Sequence, residues 1–322
     1  MTPAPGLIVM YHYVRKDDDR DIPAGIRPML TSQFEEQLDW LGEHYSILHP
    51  QQFLNWLAGQ HETQKPPCLL TFDDGTADHA TVVTPILAAR NLSGVFFILT
   101  GPAEESLMPL THALHWLLSQ PDEKTWRLFQ QFAREELQDE SALGDPARAK
   151  RIYHYEPELR ARIKYAANMA LPPQATATIL HRAAEQARIA LKDLARQWFV
   201  TPTQIEQMHQ AGMTIGLHGH SHSSLQTLGE DGIRHEIAHA STYLTNLTGE
   251  TPTWWACPFG GAGASPAALA AMQDAMRRAN LCAAVTTHKT PIARSPDILA
   301  LPRYDCIDLP PRKSAPAELQ VT

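Results

Sequence analysis

The chain is punctuated by short, predominantly apolar runs: "GLIVMY" (6–11), "PPCLL" (66–70), "SGVFFIL" (93–99), "MTIGL" (213–217), "TWWAC" (253–257) and "CAAV" (282–285). A strand with one wet face alternates apolar and polar residues, and these runs do not. They fit strands buried on both faces, as in a parallel sheet flanked by helices. Between them lie segments of helical spacing, among them "HATVVTPILAARN", "DGIRHEIAHASTYLTNL" and "ALAAMQDAMRRANL". Strand and helix in alternation define an α/β class. Helix signals are local and specific in two places. In "TSQFEEQLDWLG" Ser32 and Glu35 fit a capping box and Gly42 a stop; in "TPTQIEQMHQAG" Thr201, Pro202, Gln204 and Gly212 play the corresponding parts.

The rhythm breaks between residues 102 and 198. There the spacing is helical throughout, with Trp126, Phe129 and Phe132 forming a stripe expected to serve a small core of its own. A connection this long is an insertion rather than a loop. The expected organisation is a discontinuous α/β unit, 1–101 and 199–310, a helical insertion at 102–198, and a mobile tail at 311–322 rich in Pro and polar residues. The insertion could wall a binding site or make a homo-oligomer contact.

At 322 residues the chain can bury a substantial core. Its net charge is −8 with scattered basic residues, which argues against a nucleic-acid or anionic-membrane surface. The run "GLIVMY" is too short for a signal peptide core or a membrane span, so the expected location is cytoplasmic. Cys68, Cys257, Cys282 and Cys306 form no CxxC pair and read as reduced, mostly buried thiols.

Two stretches carry chemistry. Asp73-Asp74-Gly75 ends one apolar run, and "GLHGHSHSS" (216–224) follows another. Ligands gather at the C-terminal ends of parallel strands. His218 and His222, spaced i, i+4, would share one side of a helical turn, a common arrangement for chelating one metal. With a carboxylate they make three ligands and leave the second carboxylate free. An ion held by three protein groups and an open position activates water, and a free carboxylate can take its proton. His220, between the pair, is expected to point away or to support them.

"TFDDG" (71–75), "HGHSHS" (218–223) and "CPFG" (257–260), in this order, resemble the successive motifs of the polysaccharide deacetylases, carbohydrate esterases of family 4. "IVMYHYV" and "FVTPTQIEQMHQAGMTIGLHGHSH" share the likeness. The resemblance implies a distorted (β/α) barrel of about seven strands and a metal-dependent enzyme acting on an N-acylated sugar, free or nucleotide- or lipid-linked. It implies Asp73 as general base, and Asp74, His218 and His222 as ligands of Zn²⁺ or of Co²⁺, Ni²⁺ or Fe²⁺. It places the backbone N–H of Phe259 at the oxyanion. The general acid falls to His12, with His288 in "VTTHKT" the other candidate. One departure is plain: the family's motif arginine is replaced by Ala256. Arg303 in "LPRYD" could reach the same carboxylate, with Asp305 steadying it or a histidine. Together these residues point to a de-N-acetylase of surface-polysaccharide (O-antigen or capsule) biosynthesis. Other readings are a deformylase or other amide hydrolase on the same fold, and a non-catalytic metal-containing sugar-binding or scaffold protein.

Overall fold

The computed structural model describes residues 5–19, 26, 28–120, 123–138, 143–154, 156–261, 264–292, 296–314 and 316. Its centre is a row of parallel strands: β1 (Leu7–Tyr11), β2 (Pro67–Phe72), β3 (Val95–Ile98), β4 (Thr214–Leu217), β5 (Trp254–Ala256), β6 (Ala283–Val285) and β7 (Tyr304–Asp305). They lie in the order β7-β1-β2-β3-β4-β5-β6. Val9 pairs with Tyr304 on one side and Leu70 on the other. Leu301, just before β7, also bridges Val285 of β6. The row therefore curls back towards its own start as a (β/α) barrel.

Both faces of these strands are apolar, and period-two alternation sorts them. Ile8, Leu69, Val95, Phe97, Trp254 and Leu301 meet in one inner cluster, joined by Phe53 and Trp56 of the helix Pro50–Leu57. Leu7, Val9, Tyr11, Leu70 and Phe72 face the other way and pack under the outer helices. The segment expected as one helix near 79–91 opens with a π-helical turn, His79–Val83, and continues as the α-helix Thr84–Ala89. Thr201 and Gln204 do form a capping box, on the helix Pro202–Gln210.

The Ser32 and Glu35 cap is corrected. The helix runs Thr31–His44, and Gln33, not Glu35, accepts the Leu30 N–H at 3.2 Å. Asp17 of the preceding loop accepts both the N–H and the hydroxyl of Ser32, so Ser32 sits inside the first turn.

Among the described residues from 100 to 198 the elements are all helices, and Leu114, Leu117, Phe129, Phe132, Ile163 and Ile179 make a separate core there, with Trp126 packed at the edge. The start of the tail is docked: Arg312 donates to the Gln33 side chain at 2.9 Å, and Gln37 donates to the Pro310 carbonyl. Residues 317–322 lie outside the described residues. Among the described residues no helix is long and apolar enough to cross a membrane. Cys68, Cys257 and Cys306 are buried free thiols, and Cys282 is exposed.

Candidate active site

Alternation along β2 carries Leu69, Thr71 and then Asp73 to the barrel interior. Arg303, brought in just ahead of β7, meets Asp73 there. Its Nη1 and Nη2 donate to Oδ1 and Oδ2, each at 2.7 Å. Nη1 also lies 3.2 Å from Thr71 Oγ1, and Nε donates to the Thr286 carbonyl at 3.0 Å. The guanidinium sits over the Phe97 ring, 5.7 Å from its centroid, and Arg303 is only 1% exposed. A fork this well matched to a carboxylate is geometry that lysine cannot copy. Burial pushes the Asp73 carboxyl up, but Arg303 outweighs it and holds the group below its ordinary value. Ala256 is fully buried on the inner face and brings no charge, so the positive partner of Asp73 comes from another element.

Asp74 turns the other way because its backbone is left-handed, with φ of 80°, and Gly75 follows at 68°. One oxygen, Oδ1, lies 3.2 Å from His218 Nε2 and 3.4 Å from His222 Nε2. The other, Oδ2, lies 3.3 Å from Nε2 of His112, a fully buried residue of the helix Leu110–Ser119. His218 Nδ1 donates to the Ala256 carbonyl at 2.7 Å. His222 Nδ1 lies 3.3 Å from the Thr111 hydroxyl, which itself donates to Asn168, while Asn168 donates to the Tyr153 hydroxyl. With each Nδ1 committed, both Nε2 lone pairs face one carboxylate oxygen. Asp74 Oδ1 is buried without a hydrogen-bond partner. Three acceptors so placed need a cation among them, and the donor set suits zinc or a similar divalent ion.

The protonation states agree. Burial drives His222 down to about 3, leaving a neutral imidazole. Burial would also lower His218, but Asp74 and Asp73 overcome it and raise the group above its usual value. The two carboxylates thus favour positive charge at this point of the metal-free site. Asp74 itself is held well below the carboxylate range, against its burial, first by His112 and then by His218 and His222.

The histidine loop does not form a helical turn. Gly219 at φ 86° and His222 at φ 59° bend it, and the rings of His218 and His222 converge at 5.0 Å. His220 faces away, with Nδ1 3.0 Å from Thr100 Oγ1. His12 follows β1, half-buried and near enough for its charge to act on Asp73 and His222. Its carbonyl accepts from His79 Nε2 at 2.7 Å, and Asp78 accepts the Val14 N–H at 2.5 Å, which pins this loop. His288 is exposed, and its carbonyl accepts the Arg303 N–H at 2.8 Å. Phe259 adopts φ of 56° and sets its ring against His222, 4.8 Å between centroids. Asp305 is not directed at Arg303: its carboxylate accepts the Ile307 N–H at 3.1 Å and caps the turn Cys306–Asp308.

The polysaccharide deacetylase model matches residues 60–153 and 172–278, more than half of the chain. The chain belongs to the polysaccharide deacetylase family. No curated protein sequence matches it. Among solved structures it is similar to the Streptococcus pyogenes deacetylase PplD in complex with acetate, with 17% identity, a TM-score of 0.58, and coverage of 94% of this chain and 93% of that one. IcaB from Ammonifex degensii gives 15%, 0.57, and coverage of 94% and 91%. The BpsB deacetylase domain from Bordetella bronchiseptica gives 16%, 0.52, and coverage of 94% and 95%. At these identities the likeness establishes the fold of this family member, a (β/α) barrel. His112, Thr111, Asn168 and Tyr153 escaped the reading of the sequence. The one local trace is the pair His112 and His115 on an otherwise apolar helix.

Proposed function

We propose that this family member is a metal-dependent hydrolase that removes the N-acetyl group from an amino sugar. The observation that carries the reading is the convergence of His218 Nε2 and His222 Nε2 on Asp74 Oδ1, with Asp73 held apart by Arg303. Asp74, His218 and His222 would hold the ion, Zn²⁺ or another divalent metal such as Co²⁺, Ni²⁺ or Fe²⁺. Such an ion supplies Lewis acidity, which lowers the pKa of water and polarises an amide carbonyl.

The remaining steps belong to the chain. Asp73, ionised because Arg303 depresses its pKa, takes the proton of the attacking water. The Phe259 backbone N–H donates to the developing oxyanion. His12 gives its proton to the departing amine as the C–N bond breaks, leaving acetate and a free amino sugar. Arg303 orients Asp73, and Asp305 steadies the chain just beyond Arg303. The cleft beside His222, lined by Leu110, Thr111, Asn168, Ser221 and Phe259, offers the sugar a wall built by the insertion. In this organisation residues 1–101 and 199–310 form the catalytic barrel and 102–198 its wall.

The substrate is an N-acetylated amino sugar of a surface polysaccharide or its precursor. A similar structure is described in complex with acetate, the product of such a reaction. Chelation should abolish acetate release and Zn²⁺ or Co²⁺ restore it. Full activity after exhaustive chelation, or full turnover by Asp73→Asn, would sink the reading.

A further inference from the structure

The loop that aims His218 and His222 at Asp74 presents His220 on its opposite side, where further ligands wait. His239 Nε2 lies 2.7 Å from Glu104 Oε2. The His220 ring stands edge-on to that of His239, 4.7 Å between centroids. Both nitrogens of His220 face carboxylates, Nδ1 at 3.9 Å from Glu104 and Nε2 at 4.0 Å from Glu105. One ligand atom from each of Glu104, His220 and His239 lies within 4.8 Å of the others. We propose that Glu104, His220 and His239 form a second binding site, for a divalent transition ion of the zinc class. Two imidazoles and a carboxylate are a donor set such ions favour.

The scaffold around this cluster is fixed before any ion arrives. Glu104 lies on the short helix Thr100–Glu105, whose first N–H groups dock on the loop: Thr100 donates to the Gly219 carbonyl at 3.1 Å, and Gly101 to that of His220 at 3.0 Å. A Cβ on Gly101 would lie 2.7 Å from that second oxygen, so the approach requires glycine. His239 lies on the helix Glu230–Thr248, in the run His-Glu-Ile-Ala-His from 235 to 239. This spacing puts two imidazoles on one helix face, a pattern used to chelate zinc. The His235 and His239 rings are 5.5 Å apart, and His235 is exposed, free to turn towards the ion.

The glutamate within that run has another task. Glu236 accepts the N–H groups of His220 and Ser221 at 2.6 and 3.0 Å. It also accepts at 2.5 Å from the Ser221 hydroxyl. It therefore holds the loop and is not available as a base. An ion in the second site ties the loop to two helices while His218 and His222 emerge from its other side. The second ion is thus a clamp on the first ligand set. It does not depend on the proposed reaction.

The test counts metal. Purified, chelator-stripped full chain is titrated with Zn²⁺ alone, and bound metal is measured after dialysis, with Co²⁺ absorption spectra as a second readout. Wild type should take up a second equivalent. His239→Gln and Glu104→Gln should each lose the weaker one, its affinity falling by more than the about 10–100-fold typical of losing a supporting partner. Both substitutions are at solvent-accessible side chains, and unchanged circular dichroism in chelator confirms folding. Asp74→Asn should lose the other equivalent and keep the one His239 binds. If both variants bind as much metal as wild type, or wild type binds only the ion that Asp74→Asn removes, the second site is refuted. Failure of the buried site alone would appear as Asp74→Asn with undiminished metal, while loss in His239→Gln would still support the clamp.

Discussion

Replacing Arg303 by methionine keeps a stem of similar volume and removes the charge that is bonded to both oxygens of Asp73. Asp73 is 3% exposed and receives both bonds at 2.7 Å, so the lost donors are poorly replaced by bulk water. Removing one partner of such a buried pair costs about 3–5 kcal/mol. Each 1.36 kcal/mol shifts the ratio of ionised to neutral carboxyl tenfold. Even if two-thirds of the smaller figure acts on that ratio, the ionised fraction falls by about 10–100-fold wherever the proton competes. The sign follows from the opposing causes: burial raises the Asp73 pKa and Arg303 is first among the groups that lower it, so the variant keeps the raising effect against only the smaller pull of His218 and His12. With Asp73 as base, the acid limb of kcat/KM for acetate release should move up by about 1–2 pH units, so that activity on that limb falls about 10–100-fold and recovers as the pH rises. Arg303→Lys should fall between, because an ammonium supplies charge without the fork. The assay is kcat/KM from about pH 5 to 9, with bound metal measured in each protein. If Arg303→Met stays within about twofold of wild type with an unmoved acid limb, Arg303 does not set the state of the base.

His112→Ala should weaken metal binding by about 10–100-fold, since it removes the group beside Asp74 Oδ2 while leaving the three ligands in place; unchanged affinity in a chelator competition would refute that role. Zinc binding should release a proton, because the His218 pKa is raised in the metal-free site and the ion replaces that proton. Calorimetry in buffers of different ionisation enthalpy should therefore give different apparent heats, and equal heats would count against it. The metal-free protein should lose stability as the pH falls below the ordinary carboxylate range. Asp73 and Asp74 have folded pKa values below their unfolded ones, so their contribution is present above the unfolded pKa and lost as the pH falls through the folded one. Denaturant melts of metal-free Asp73→Asn should show a shallower acid slope than those of metal-free wild type, and an equal slope would contradict the assignment.

The parts of this molecule that the sequence discloses are those encoded within single elements. Apolar runs such as "GLIVMY" and "SGVFFIL" announce strands buried on both sides, because every residue finds a core whichever face it takes. Asp73-Asp74 and the spacing of His218 and His222 are equally local. The way the two histidines meet is not, since left-handed Gly219 replaces the expected helical turn and sends His220 outward. Partners across elements depend on register. Leu217 pairs with Trp255, which sets His218 beside the Ala256 carbonyl and fixes its tautomer. Arg303 could be suspected only because Ala256 left a carboxylate without a counter-charge. His112 had no such vacancy to point to it: its helix is apolar enough to read as core, and most of it is core. Only the docking of the insertion against the barrel brings that imidazole to Asp74 and Thr111 to His222. The helical segment that looks separable by pattern is therefore coupled to the ligand set through these two contacts, and its removal would leave His222 without the hydroxyl that orients it.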